Sequence, residues 1–75
     1  MLLPLDMLRR GESAEISEVT GDAQTVRRMA EMGIRTGCRV EMIQDGSPCL
    51  LDVGGCRLCL RADALAQVMV SPVDD

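Results

Sequence analysis

Between Thr25 and Val40 the chain reads TVRRMAEMGIRTGCRV, a run whose periodicity changes at Gly33. Before that glycine, Val26, Met29 and Ala30 fall at i, i+3 and i+4 as one apolar stripe, while Arg27, Arg28 and Glu31 lie off it. The spacing predicts a short amphipathic helix. Gly33 stands where a helix ends in a left-handed residue. Ile34 is placed to fold back on Met29 or Ala30, as a Schellman stop requires. Gly37 then opens a turn, and Arg39-Val40-Glu41-Met42 reads as a strand that starts at once. Nothing in this run is catalytic, so function is to be sought in surfaces rather than in a reaction.

The flanking sequence supplies strands to go with it. Leu5, Met7 and Leu8 precede Gly11 and predict a helical turn with Leu5 and Leu8 inward. From Glu12 to Thr20, Ala14 and Ile16 alternate against Glu15 and Ser17 until the phase slips at Val19, the mark of a bulged strand. Gly21-Asp22 is a turn, with Asp22 as N-cap of the helix. A strand from Cys38 to Gln44 leads into Asp45-Gly46-Ser47-Pro48, a connection rich in turn formers. Leu50 to Val53 and Cys56 to Arg61 flank Gly54-Gly55, a two-residue turn of type I′ or II′. In the second arm Cys56, Leu58 and Leu60 face one way, and Arg57, Cys59 and Arg61 the other. Arg61 to Leu65 reads as a helical turn. Gln67 to Val70 is a last strand, stopped by Ser71-Pro72. The expected fold is mainly β: a small SH3-like barrel of about five strands, with one amphipathic helix and a short N-terminal helical turn. Residues 1–75 are expected to form a single domain with its core over about 4–71, and 72–75 are an acidic tail expected to fray.

Composition narrows the function classes. The 75 residues include no Phe, Tyr or Trp, so Leu, Val, Ile, Met and Cys must fill the core, with six methionines as adaptable packing. The net charge is −4 and the isoelectric point near 4.6. That balance opposes nucleic acid, whose binding leans on phosphate neutralisation, and the missing aromatics remove base stacking. No apolar run approaches the ~18 residues of a membrane span, so direct membrane insertion is not expected. The start, MLLPLDMLRRGES, lacks the basic region and cleavage site of a signal peptide. A cytoplasmic location follows as the expectation, with four free thiols rather than a disulfide framework. Exposed strand edges in so small a domain leave a weak homo-oligomer open.

Few residues offer chemistry. Cys56-Arg57-Leu58-Cys59 satisfies C-x-x-C. In a strand, however, residues i and i+3 point to opposite faces and lie ~10 Å apart. A tetrahedral zinc site needs sulfurs within ~4 Å of each other. No metal ligands are therefore expected, Cys56 and Cys59 being the candidates a metal reading would have to use. Cys56 is expected as a small core residue and Cys59 as partly exposed. The chain has no histidine, no opposed pair of carboxylates and no phosphate-cradling loop, so no enzyme is expected. Arg27, Arg28, Arg35 and Arg39 form one basic cluster in an acidic chain. They read either as a solvated face or as a docking patch for acidic partner groups.

The order of helix with paired arginines, Glu31-Met32-Gly33 end, second glycine and strand resembles the FeoA family of ferrous-iron uptake. So do Leu5-x-x-Leu8-x-x-Gly11-Glu12 at the front, and Leu58-Cys59-Leu60-Arg61, Ala62-Asp63-Ala64 and Val68-Met69-Val70 at the back. The likeness covers nearly the whole chain. Where the family often carries Pro-x-Gly-x-Pro, Pro48 is here followed by Cys49-Leu50-Leu51. The resemblance implies a cytoplasmic accessory or regulatory protein, docking on the cytoplasmic GTP-binding part of the membrane permease FeoB. It implies no required cofactor, ferrous iron being the cargo of the system. The residues expected at the partner are Arg27, Arg28, Glu31, Met32, Ile34 and Pro48. The alternative is a small thiol-based protein that binds or senses a transition metal. A third reading is a detached relative of the SH3-like domain of iron-dependent repressors, acting through another protein since no helix-turn-helix is present.

Overall fold

The last strand of the chain sits inside the sheet, between the first two, and that placement organises the molecule. The computed structural model describes residues 1–46 and 48–73. In chain order they form β1 (Leu3–Pro4), a 3-10 turn (Leu5–Met7), β2 (Ser13–Val19), α1 (Ala23–Glu31) and β3 (Arg39–Gln44). β4 (Cys49–Val53), β5 (Cys56–Leu60), α2 (Ala62–Leu65) and β6 (Val68–Val73) follow. The strands make one antiparallel sheet in the order β1-β6-β2-β3-β4-β5. Val70 of β6 thus lies opposite Leu3 on one side and Ile16 on the other.

Two bulges bend this sheet around its contents. The β2–β6 register shifts between Ile16 and Glu18, slightly ahead of the phase slip at Val19, and the β3–β4 register shifts between Met42 and Gln44. The inward faces meet in a single cluster. Leu5, Ile16, Ile34, Met42, Leu51 and Leu65 are its largest fully buried side chains. Each is worth about 1.5–3 kcal/mol relative to exposure, so an aliphatic set can hold a domain that lacks any ring. Leu5 and Leu8 face inward as expected.

Local chemistry explains α1 and its surroundings. The Asp22 carboxylate accepts a hydrogen bond from the Thr25 N–H at 2.7 Å, capping the helix. The helix stops in a Schellman motif: Gly33 N–H bonds Ala30 C=O at 3.0 Å, and Ile34 N–H bonds Met29 C=O at 2.9 Å. Gly33 takes φ +95°, the left-handed value this motif needs. A tight turn follows, Cys38 N–H to Arg35 C=O. Ile16 fastens it to β2, donating to Cys38 C=O at 2.8 Å and accepting from Gly37 N–H at 2.7 Å. At the far hairpin Gly54 and Gly55 both have positive φ, the type I′ requirement, and Asp52 Oδ1 accepts from Gly55 N–H at 2.9 Å.

Three expectations are corrected. Ser71-Pro72 does not end the last strand, which runs on to Val73 with Pro72 opposite Ala14. β1 covers β6 only at Met69 and Val70, so Pro72 has no strand on its other flank, where a missing N–H is tolerated. Paired backbone reaches from Leu3 to Val73, and β1 adds a sixth strand too short for periodicity to reveal. The expectation for Cys56 is overturned: it is exposed like Cys59, and Cys49 is the core thiol. Cys56 follows the glycine turn at the end of an edge strand, where no neighbour covers it. Ser47 and the expected acidic end, Asp74-Asp75, lie outside the described residues.

Candidate functional site

Charge on this acidic molecule is uneven, and its arginines concentrate where α1 ends. Arg27, Arg28 and Glu31 are exposed on the last turns of α1. Arg27 and Glu31 stand at i, i+4, a pairing worth only ~0.3 kcal/mol. Arg35 is tied to the same helix end, its Nε–H donating to Ala30 C=O at 3.0 Å. A cation there also complements the negative end of the helix dipole. Arg39 opens β3 directly after the turn.

Between that helix end and the tip of the β4–β5 hairpin lies an open cleft of about 380 Å³. Gly33, Val53 and Gly54 line it together with Arg35, Cys38 and Arg39. Val53 and the Gly33 backbone meet closely enough that a Cβ on Gly33 would stand 3.4 Å from Val53 Cγ1. An adjoining hollow of about 220 Å³ shares Arg39 and Gly54 but is lined by Glu41 and Asp52. The two recesses have opposite polarity, basic on the helix side and acidic on the sheet side.

Of the expected partner residues, the structure brings Arg27, Arg28 and Glu31 together on one exposed face. Met32 is half-buried and packs against the core rim. Ile34 is corrected: it is 1% exposed, because the residue after a Schellman glycine folds under the helix. Pro48 is exposed but stands beside Cys49, at the opposite end of β4 from Val53. That strand separates it from the helix end by ~15 Å at ~3.3 Å per residue, so it belongs to another surface. Sequence reasoning missed Cys38, Val53 and Gly54 as cleft residues. Arg35 and Arg39 bracketing Gly37-Cys38 were the available signal, but the hairpin tip arrives from a distant part of the chain.

The thiols make no comparable grouping. Cys56 and Cys59 are exposed and three residues apart on β5, so they project to opposite faces. Cys49 Sγ donates to the C=O of exposed Gly46 at 2.7 Å, at the edge of the core. Among the described residues no three His, Cys, Asp or Glu side chains gather as metal ligands. None of their helices is long and apolar enough to cross a membrane.

Comparison with known proteins agrees with this architecture. The family model described as the FeoA domain matches residues 3–72. A crystal structure of an iron uptake regulatory protein, FeoA, superposes with a TM-score of 0.93 at 21% identity, over 97% of this chain and 100% of that one. FeoA of Stenotrophomonas maltophilia, solved with zinc and described as a prokaryotic SH3 domain protein, gives 0.79 at 29% identity, covering 95% and 89%. A manganese-dependent transcriptional repressor gives 0.89 at 17% identity over 96% of this chain but only 41% of the repressor. No curated protein sequence matches. The sheet is thus the SH3-like fold expected from the strand pattern.

Proposed function

Because the chain belongs to the FeoA family, with the family domain spanning residues 3–72, we propose that it is a non-catalytic accessory protein of ferrous iron transport. It acts in the cytoplasm by docking on the cytoplasmic GTP-binding part of a FeoB-type permease. The observation that carries this reading is the exposed arginine face at the end of α1, on a domain whose net charge is −4. Arg27 and Arg28 are both exposed on a helix capped by Asp22. Guanidinium groups so placed suit bidentate contacts to partner carboxylates.

The test is a titration of isotope-labelled protein with the isolated permease domain, in each nucleotide state and under reducing conditions. Amide shifts are expected at Arg27 to Glu31 and at Arg35. Charge reversal by Arg27→Glu with Arg28→Glu should weaken binding by roughly tenfold or more, with only a small fall in melting temperature from the new like-charge pair with Glu31. Absence of shifts in every nucleotide state removes the docking reading. The exposed thiols of Cys56 and Cys59 keep a second reading alive, metal binding or sensing, and Cys56→Ser with Cys59→Ser separates the two. Docking survives those changes, whereas a thiol-based metal protein loses its metal.

A further inference from the structure

The arginine face explains attraction to a partner but not what the partner presents, and the neighbouring cleft supplies that. Its lining includes the apolar side chains of Val53 and Cys38 and two glycines, Gly33 and Gly54, that add no side chain. Its rim carries two guanidinium groups, Arg35 and Arg39. Arg35 is pre-positioned, since its Nε–H is already committed to Ala30 C=O at 3.0 Å. That bond uses one of five donors and fixes the plane of the others. Less rotamer freedom is then lost when a carboxylate is gripped. At about 380 Å³ the cleft has the volume to receive an aliphatic side chain and an adjacent carboxylate.

We propose that this cleft is the recognition pocket for an extended acidic segment of the partner, one aliphatic side chain seated against Val53 and Cys38 and a neighbouring carboxylate held by Arg35. The adjoining hollow sets the polarity of the segment. Glu41 and Asp52 line that side, so a carboxylate is repelled there and drawn towards Arg35. Cys38, half-buried in the cleft wall, lies beside the seated side chain. The proposal deepens the docking reading, resting on it for the identity of the partner but not for the chemistry of the pocket.

The probe is an acetylated, amidated pentapeptide with a central leucine flanked by glutamates, against the same peptide carrying lysines. With the full chain, the acidic peptide is expected to shift the amides of Gly33, Arg35, Cys38 and Gly54. Arg35→Gln should weaken it by about tenfold, the loss expected for a charge-assisted pair, and the lysine peptide should leave those amides in place. In the Cys56→Ser, Cys59→Ser background, the acidic peptide should slow alkylation of Cys38 by iodoacetamide. This readout does not depend on the Arg35 variant being well folded. Equal binding of the two peptides, or shifts that miss the cleft, overturns the pocket.

The permease domain is titrated in parallel. If it binds while leaving Cys38 unprotected, the pocket proposal falls and docking stands. If only the acidic peptide binds and protects Cys38, docking on the permease falls and the pocket stands.

Discussion

Asp22 shows how one side chain can carry both a structural and a pH signal. Its carboxylate is held below the ordinary carboxylate range, chiefly by the hydrogen bond from the Thr25 backbone and then by the Thr25 side chain. A carboxyl with a depressed folded pKa contributes stability above its unfolded value, near 4, and loses it as the pH falls through the folded value. Thermal melts should therefore show Asp22→Ala less stable than the parent at pH 7, with the gap closing towards pH 3. Asp22→Asn keeps an acceptor and should retain much of the neutral-pH melting temperature without the acid limb. Gly33 offers a second check. Its φ of +95° and the 3.4 Å approach to Val53 Cγ1 leave no comfortable side chain. Gly33→Ala should cost upwards of 1 kcal/mol in urea unfolding, more than an ordinary surface change. Both residues were legible in the sequence because caps and stops are decided within a few positions of the chain. Ile34 was half legible: its place after the glycine gave its backbone role. Whether its side chain met core or partner depended on what lay beneath the helix.

At the scale of elements, alternation names the face of a strand but not what covers that face. Cys56, Leu58 and Leu60 do share a face of β5, yet only the leucines are even half-buried. β5 is an edge strand, and Cys56 stands at its turn end. Cys49, opposite Leu60 in β4, is enclosed instead. Cys49→Ala should accordingly destabilise the domain, while Cys56→Ala should leave the melting temperature nearly unchanged. The β4–β5 turn gives a finer test. Both central residues have positive φ, a state that Asn accepts and β-branched residues resist. Gly54→Asn should fold with an intact hairpin, whereas Gly54→Val should lower stability by at least about 1 kcal/mol in the same urea assay. The cleft was not legible at this scale. It exists only because the helix stop and this turn, some twenty residues apart in sequence, end on the same side of the sheet.

The whole molecule has little stability to spare. Domains of this kind stand only about 5–15 kcal/mol above unfolding, and a fully buried leucine cut to alanine costs 2–5 kcal/mol. Leu51→Ala, at the centre of β4 with no exposure, should leave a chain that unfolds in low urea or fails to fold at all. Fold class was readable in advance, since periodicity, turn chemistry and composition agreed. The position of β6 was not, because nothing local to Val68–Val73 says that it will slot between β1 and β2. During synthesis, a nascent chain carries β1 and β2 with a vacant slot between them until β6 has been translated. Folding is therefore late rather than progressive, and the unfilled slot is a site where neighbouring chains could misassemble. The same vacancy suits fragment complementation: residues 1–66 made alone should remain incompletely folded and recover structure when a peptide bearing Val68–Val73 is added in trans.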